Sequence, residues 1–265
     1  LTKRLNLLEN WPIIWGGEDI NNRERIDSLL VKKGLVSNRS RARSLLMCGN
    51  VFVDGLRVDK AGTFVREDSK IDIKEVTSRY VGRGGIKLEA AIREFKIDVN
   101  SKVALDIGSS TGGFTDCLLQ FGAKKVYAVD VGYGQLDWRL RNDPRVRVME
   151  RVNARYLKLE DIGEQVDIST IDVSFISLTK IVPVVLQIIK PRGVLIILIK
   201  PQFEVGKGEV GRGGIVKDEF KRIAVVDKIT CFISGIGVEV VDVLPSPILG
   251  ADGNQEYLIV GVKVS

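Results

Sequence analysis

The residues most able to do chemistry are charged groups that end apolar runs. Asp172 follows such a run in Ile171-Asp172-Val173-Ser174-Phe175, and Lys200 follows another in Leu198-Ile199-Lys200-Pro201-Gln202. Ionisable side chains leaving buried strands at one mouth are candidates for catalysis or binding; the alternative is a structural ion pair. The chain has no histidine. A general base must therefore come from Lys, Asp, Glu, Tyr or Cys. Cys48, Cys117 and Cys231 are scattered, with no metal-ligand spacing and no disulfide framework, so no metal site is expected and a reducing, cytoplasmic setting is natural.

A second acid, Asp106, closes Val103-Ala104-Leu105-Asp106 and opens Ile107-Gly108-Ser109-Ser110-Thr111-Gly112-Gly113-Phe114, after which helix-compatible residues continue towards Phe121. Strand, glycine turn and helix form the first βα unit of a doubly wound sheet, where a nucleotide-like ligand sits on the helix N-terminus and glycines let the backbone approach it. A plain tight corner is the alternative. A dinucleotide fingerprint wants glycines at the first, third and sixth positions of the turn, but the third position here is Ser110. A carboxylate at the mouth repels a pyrophosphate and suits a cofactor carrying an ammonium and a sulfonium. S-adenosylmethionine fits better than NAD. The next strand, Val126-Tyr127-Ala128-Val129-Asp130, ends in an acid at the spacing of a ribose-binding carboxylate. The cofactor set is Asp106, Gly108, Ser109, Ser110, Gly112, Gly113, Phe114, Asp130 and Val131, with Asp172 at the shared mouth.

The elements that must position these groups alternate strand and helix. Lys87 to Phe95 reads as a helix leading into the cofactor strand. Strands are expected at Val146–Met149, Val166–Val173, Gly193–Ile199, Val238–Leu244 and Tyr257–Val262, with helices at Leu178–Lys190 and Lys217–Ile233. This is an α/β, Rossmann-like domain. Upstream lies a smaller α+β module. Ile26, Leu29 and Leu30 recur at helical spacing before Lys33-Gly34, and Ser37 or Asn38 caps a second helix carrying Ala42, Leu45 and Leu46. Val51 to Val58 is a hairpin with an Asp54-Gly55 turn, and Lys70 to Lys74 is a further short strand. Arg39, Arg41 and Arg43 surround the second helix's apolar stripe, which favours phosphate contacts over a merely solvated face.

The 265 residues carry a net charge of +6, consistent with a polyanionic partner. No apolar run is long enough to span a bilayer. Residues 1–22, with Trp11-Pro12-Ile13-Ile14-Trp15, lack a signal peptide's h-region and receive no function; a first residue of Leu rather than Met leads us to expect an upstream extension.

Arg25-Ile26-Asp27-Ser28-Leu29-Leu30-Val31, Ser40-Arg41-Ala42-Arg43 and Gly49-Asn50-Val51-Phe52-Val53-Asp54-Gly55 resemble an S4 domain, an RNA-binding fold. The larger, C-terminal part of the chain resembles an FtsJ-type methyltransferase. The joint, Ser78-Arg79-Tyr80-Val81-Gly82-Arg83-Gly84-Gly85-Ile86-Lys87-Leu88, is similar to the TlyA family, often labelled haemolysin and known as rRNA 2′-O-methyltransferases; Gly82 stands where that family commonly has Ser. The resemblance implies a partition into 1–22 (unassigned), 23–77 (S4-like), 78–85 (linker) and 86–265 (methyltransferase). It also implies that Lys87, Asp172, Lys200 and Glu256 match a Lys-Asp-Lys-Glu tetrad in the same chain order. In that reading Lys200 is the base or the hydroxyl-orienting residue, Lys87 tunes it, and the two acids hold the lysines. Asn153 lies in a loop near the adenine in the resembling family, or is only a turn residue. Arg39, Arg41, Arg43, Arg57 and Arg83 are the RNA-binding candidates. The glycine-rich loop Gly206 to Gly214 clamps RNA backbone or is a plain surface loop. The implied activity is methylation of a cytidine 2′-hydroxyl in ribosomal RNA or ribosomal subunits. The rivals are a non-catalytic RNA-binding protein and a membrane-lytic haemolysin, for which no amphipathic or spanning segment speaks.

Overall fold

A computed structural model describes residues 22–36, 38–47, 49–73, 79–206, 208–211, 213–250 and 253–265. The sequence expectations for residues 1–21, Ser37, Cys48, the end of the strand at Lys74 and part of the 206–214 loop fall outside them.

The N-terminal unit contains β1 (Arg23–Arg25), α1 (Ile26–Lys32), α2 (Arg39–Met47), β2 (Val51–Val53), β3 (Leu56–Val58), β4 (Phe64–Arg66) and β5 (Ile71–Ile73). The apolar stripe of the two helices is its core: Ile26, Leu29, Leu30, Ala42, Leu45 and Leu46 pack with Val51, Val53 and Val65. Asn38 Oδ1 accepts from the Arg41 backbone N–H at 2.8 Å, so the helix N-terminus is capped as its residue type favours. Asp54 and Gly55 turn the hairpin with φ of 49° and 80°. β1 pairs with β4, an addition to the expected elements, since three-residue strands show no usable alternation.

The larger unit runs α3 (Gly84–Glu94), β6 (Val103–Ile107), α4 (Gly113–Gln120), β7 (Lys125–Asp130), α5 (Trp138–Arg141), β8 (Val146–Glu150), α6 (Leu159–Ile162), β9 (Val166–Ile171), α7 (Val182–Ile188), β10 (Ile189–Ile199), α8 (Glu219–Gly235), β11 (Val238–Pro245) and β12 (Tyr257–Lys263). Seven strands lie in the order β11-β12-β10-β9-β6-β7-β8. The strands from β10 to β8 are parallel, and β12 is antiparallel to both β10 and β11. The central strands are buried almost throughout, and successive side chains point alternately to the two covered faces. Leu105, Ile107, Leu195 and Ile197 face the layer of α7 and α8, while Ala104, Ile196 and Leu198 face that of α3 and α4. Chain order reverses between β6 and β9, and ligands in such sheets bind at that switch, beyond the strands' carboxyl ends.

One expected helix is corrected. Leu178–Lys190 divides into a 3-10 turn, Leu178–Lys180, and α7, and the strand begins at Ile189 rather than Gly193. Pro191 accounts for this, because a proline biases the residue before it towards extended backbone and so ends a helix early. The short helices α5 and α6 are further additions; four residues carry no legible period.

Candidate active site

The turn after β6 is shaped by its own protein neighbours. Gly108 and Gly112 have φ of 85° and 97°, and a Cβ on either would lie 2.2 Å from another atom: Asp172 O for Gly108, Leu140 Cδ1 for Gly112. Both glycines thus allow strand-to-loop and loop-to-helix packing, a role that stands beside the expected approach of a ligand. Asp130 organises the same turn. Its Oδ2 accepts from the Ser110 backbone N–H at 2.8 Å and its Oδ1 from that of Gly132 at 2.7 Å.

Asp106 is the larger correction. Expected at the mouth, it is wholly buried, accepting from Thr115 Oγ1 at 2.6 Å and Thr170 Oγ1 at 2.9 Å. Burial pushes its pKa up to about 7, the nearby Asp172 and Asp130 carboxylates add to the rise, and the two threonine hydroxyls oppose it. It braces the floor of the site, joining β6 to α4 and β9, and lines neither cavity.

Two cavities meet over this floor. The larger, about 950 Å³, is lined by Asp130, Val131, Asn153 and the β9–α7 loop. The smaller, about 320 Å³, is lined by Lys87, Glu256, Gln202 and the glycine turn with Phe114. Gly108, Ser110, Asp172, Ser174, Phe175 and Lys200 border both. Asn153 also caps the turn that follows it, its Oδ1 accepting from Arg155 N at 3.1 Å, so the turn role exists alongside the place in the cavity wall.

The structure brings Lys87, Asp172, Lys200 and Glu256 together from α3 and from the ends of β9, β10 and β12's lead-in. Lys87 Nζ is hydrogen-bonded to Glu256 Oε2, both side chains being nearly inaccessible. Lys200 Nζ lies 2.6 Å from Asp172 Oδ1 and donates to Ser174 Oγ at 2.9 Å. Each ammonium has a carboxylate, so the four groups bring no net charge into the chamber. This matters because an unpaired charge there would be strongly penalised.

Sequence reasoning missed the rim. Phe175 has φ of 63°, is 90% exposed, and sets its ring 4.8 Å from that of Phe203. A bulky residue held in the left-handed region with its ring in solvent is strain of the kind found at ligand sites. Glu204 fixes this rim. Its buried carboxylate accepts from Ser177 Oγ and Leu178 N, each at 2.7 Å, tying the loop after β9 to the turn after β10. The signal was available in the mixed polar-aromatic residues directly after Asp172 and Lys200, but the pairing of the two loops is a tertiary fact.

The arginines divide. Asp27, fully buried, gathers Arg25 at 3.0 Å, Arg39 at 2.8 Å and Arg43 at 3.4 Å. Burial pulls its pKa upward, but hydrogen bonds from Arg25 and Arg39 outweigh it and hold the carboxyl well below its ordinary range. Three guanidinium groups on one carboxylate leave a surplus of positive charge on half-exposed side chains. Arg41 lies 3.6 Å from Asp137, ahead of α5 in the larger unit. The exposed Arg57 lies over Gly49, and Arg83, in the expected linker, lines the smaller cavity. Met47, at the end of α2, borders both cavities.

A switch-point cavity with an acid ending the second strand, beside a chamber holding two lysine–carboxylate pairs, defines an enzyme of the Rossmann-like methyltransferase class. The FtsJ-like methyltransferase family matches residues 80–263, and the S4 domain matches residues 24–71. The chain belongs to the FtsJ-like methyltransferase family. It is 46% identical over 240 residues to the provisionally named rRNA methyltransferase YqxC of Bacillus subtilis, covering 90% of this chain and 85% of that one. It is 44% identical over 238 residues to the 16S/23S rRNA (cytidine-2′-O)-methyltransferase TlyA of Mycobacterium tuberculosis, covering 89% of each. A solved structure from Streptococcus thermophilus, provisionally named a hemolysin, superposes with a TM-score of 0.72 at 42% identity, covering 92% of this chain and 90% of that one.

The cofactor such a family implies is S-adenosylmethionine, and the residues present fit it. Asp130 is fixed by two backbone donors and borders the larger cavity, so it can accept from ribose hydroxyls. The smaller chamber pairs each of its lysines with a carboxylate, Lys87 with Glu256 and Lys200 with Asp172, instead of leaving them free as a cradle for a pyrophosphate.

Proposed function

We propose that the protein methylates the 2′-hydroxyl of a cytidine ribose in ribosomal RNA, presented as a ribosomal subunit, with the S4 domain holding the RNA. The observation that carries this reading is the placement of both lysine–carboxylate pairs on one chamber that opens into the Asp130 cavity. S-adenosylmethionine supplies a methyl group already activated by a positive sulfur. The protein's work is therefore to orient a hydroxyl oxygen and remove its proton. Lys200, steered by Asp172 and Ser174, stands where the two cavities meet, placed to orient that hydroxyl or to take its proton. Lys87 and Glu256 hold the opposite wall at balanced charge. Phe175 offers an exposed ring on which a nucleobase stacks as its ribose enters, a contact open to any base but favoured by an unpaired one. Among the described residues no helix is long and apolar enough to cross a membrane, and the proposed setting is the cytoplasm, where ribosomes are.

Lys200→Arg tests the assignment. Arginine keeps the charge but cannot give up its proton, so single-turnover methylation falls by about two to four orders of magnitude while cofactor affinity is kept. A variant running at the wild-type rate would move the base to Asp172 or water.

A further inference from the structure

Met47 closes α2, yet it stands outside the core that Ala42, Leu45 and Leu46 of the same helix build with Val51, Val53 and Val65. It is 43% exposed. Among the described residues it is the one member of the N-terminal unit that borders the two cavities, and it borders both. Its companions there are apolar too. Phe175 and Phe203 border both cavities and Leu249 the smaller one, and Phe175 and Leu249 are exposed. Exposed apolar groups scattered singly mean little, but gathered on one chamber they mark a binding surface. The surroundings say what binds. The same helix carries Arg39 and Arg43, half-exposed guanidinium groups that share one carboxylate, and Arg83 lines the smaller cavity. Positive charge beside an apolar, partly aromatic platform suits a nucleic acid, its phosphates on the first and an unpaired base on the second. Arg41 and Asp137, 3.6 Å apart, dock α2 against the larger unit, so that its last residue meets the chamber.

We propose that Met47 is a substrate-contact residue: together with Phe175 it grips the unpaired nucleobase whose ribose is presented to Lys200. This rests on the reading of the protein as an RNA ribose methyltransferase. The S4 domain then does more than hold the RNA beside the enzyme; it supplies part of the pocket that takes the target nucleotide. A thioether suits the place, because its flexible, polarisable chain adapts to a flat base as it enters and leaves.

The test is methylation of ribosomal subunits by the full chain, read as kcat/KM and paired with calorimetry of S-adenosylhomocysteine. Met47→Ala should lower kcat/KM about 5- to 30-fold, the value of one apolar side-chain contact, with S-adenosylhomocysteine affinity and thermal unfolding unchanged. Met47→Leu, which keeps the apolar contact, should recover most of the loss. The slope of log affinity for subunits against log salt should stay as in the wild type, since an uncharged contact releases no counterions; this separates Met47 from the arginines. A full rate in Met47→Ala would overturn the assignment. So would an equal loss of S-adenosylhomocysteine affinity, which would make Met47 part of the cofactor's wall. Wild-type protein that binds S-adenosylhomocysteine but methylates no subunit would overturn the methylation reading and this inference with it, a separate result.

Discussion

Asp106 gives the sharpest quantitative expectation. Its carboxyl is displaced from 3.8 to about 7, by burial first, with Asp172 and Asp130 adding and the hydroxyls of Thr115 and Thr170 opposing. A folded-state value above the unfolded one contributes stability that is fully present below about 3.8 and is lost as pH rises through about 7. The whole displacement corresponds to roughly 4 kcal/mol, of which roughly 2.5 kcal/mol falls between pH 5 and pH 8. That window is unusually clean in this chain, because no histidine titrates within it. Asp106→Asn keeps the shape and lets both threonines retain a partner, but removes the titration. Thermal unfolding followed by circular dichroism should then show the variant gaining on the wild type between pH 5 and pH 8, by roughly 5–10 °C for a domain of this size. Parallel curves for the two proteins across that range would refute the argument that the floor carboxylate is held neutral by burial.

The same geometry sets three further outcomes. Asp130→Ala should weaken S-adenosylmethionine by about 1.5–3 kcal/mol in calorimetry, since a fixed charged acceptor is removed from the larger cavity. Arg41→Gln with Arg43→Gln should weaken binding to ribosomal subunits and lower the slope of log affinity against log salt by about one for each phosphate no longer neutralised; an unchanged slope would assign both arginines to their ion pairs with Asp137 and Asp27 alone. Glu204→Ala should cost about 2–4 kcal/mol of stability or of transition-state binding, read by unfolding and by kcat/KM, because two loops lose their shared buried acceptor.

The alternation of strands with helices and the glycine turns made the large domain legible, since a sheet covered on both faces leaves apolar runs such as Val103–Leu105, Val126–Val129 and Val194–Ile199. Asp172 and Lys200 were legible as ionisable residues closing apolar runs, Lys87 and Glu256 only through the family resemblance, and the structure adds which acid meets which lysine. Asp106 was misplaced for a physical reason. Whether a strand-end carboxylate points to the mouth or beneath it depends on partners far away in sequence, here Thr115 and Thr170. Glu204 and the Phe175–Phe203 pair draw their meaning from two loops meeting, and no single stretch of sequence contains both. Arg39 and Arg43 on α2 were visible, but their common anchor on buried Asp27 was not, because an acid inside α1's first turn reads locally as an ordinary dipole partner.

The most direct test of the central claim is to incubate the protein with methyl-labelled S-adenosylmethionine and unmodified bacterial ribosomal subunits, then map the product to the nucleotide. The account predicts label on a cytidine ribose 2′-oxygen, with the rate falling by about two to four orders of magnitude in Lys200→Arg. Label on a base, or none on either subunit while the cofactor binds, would contradict it.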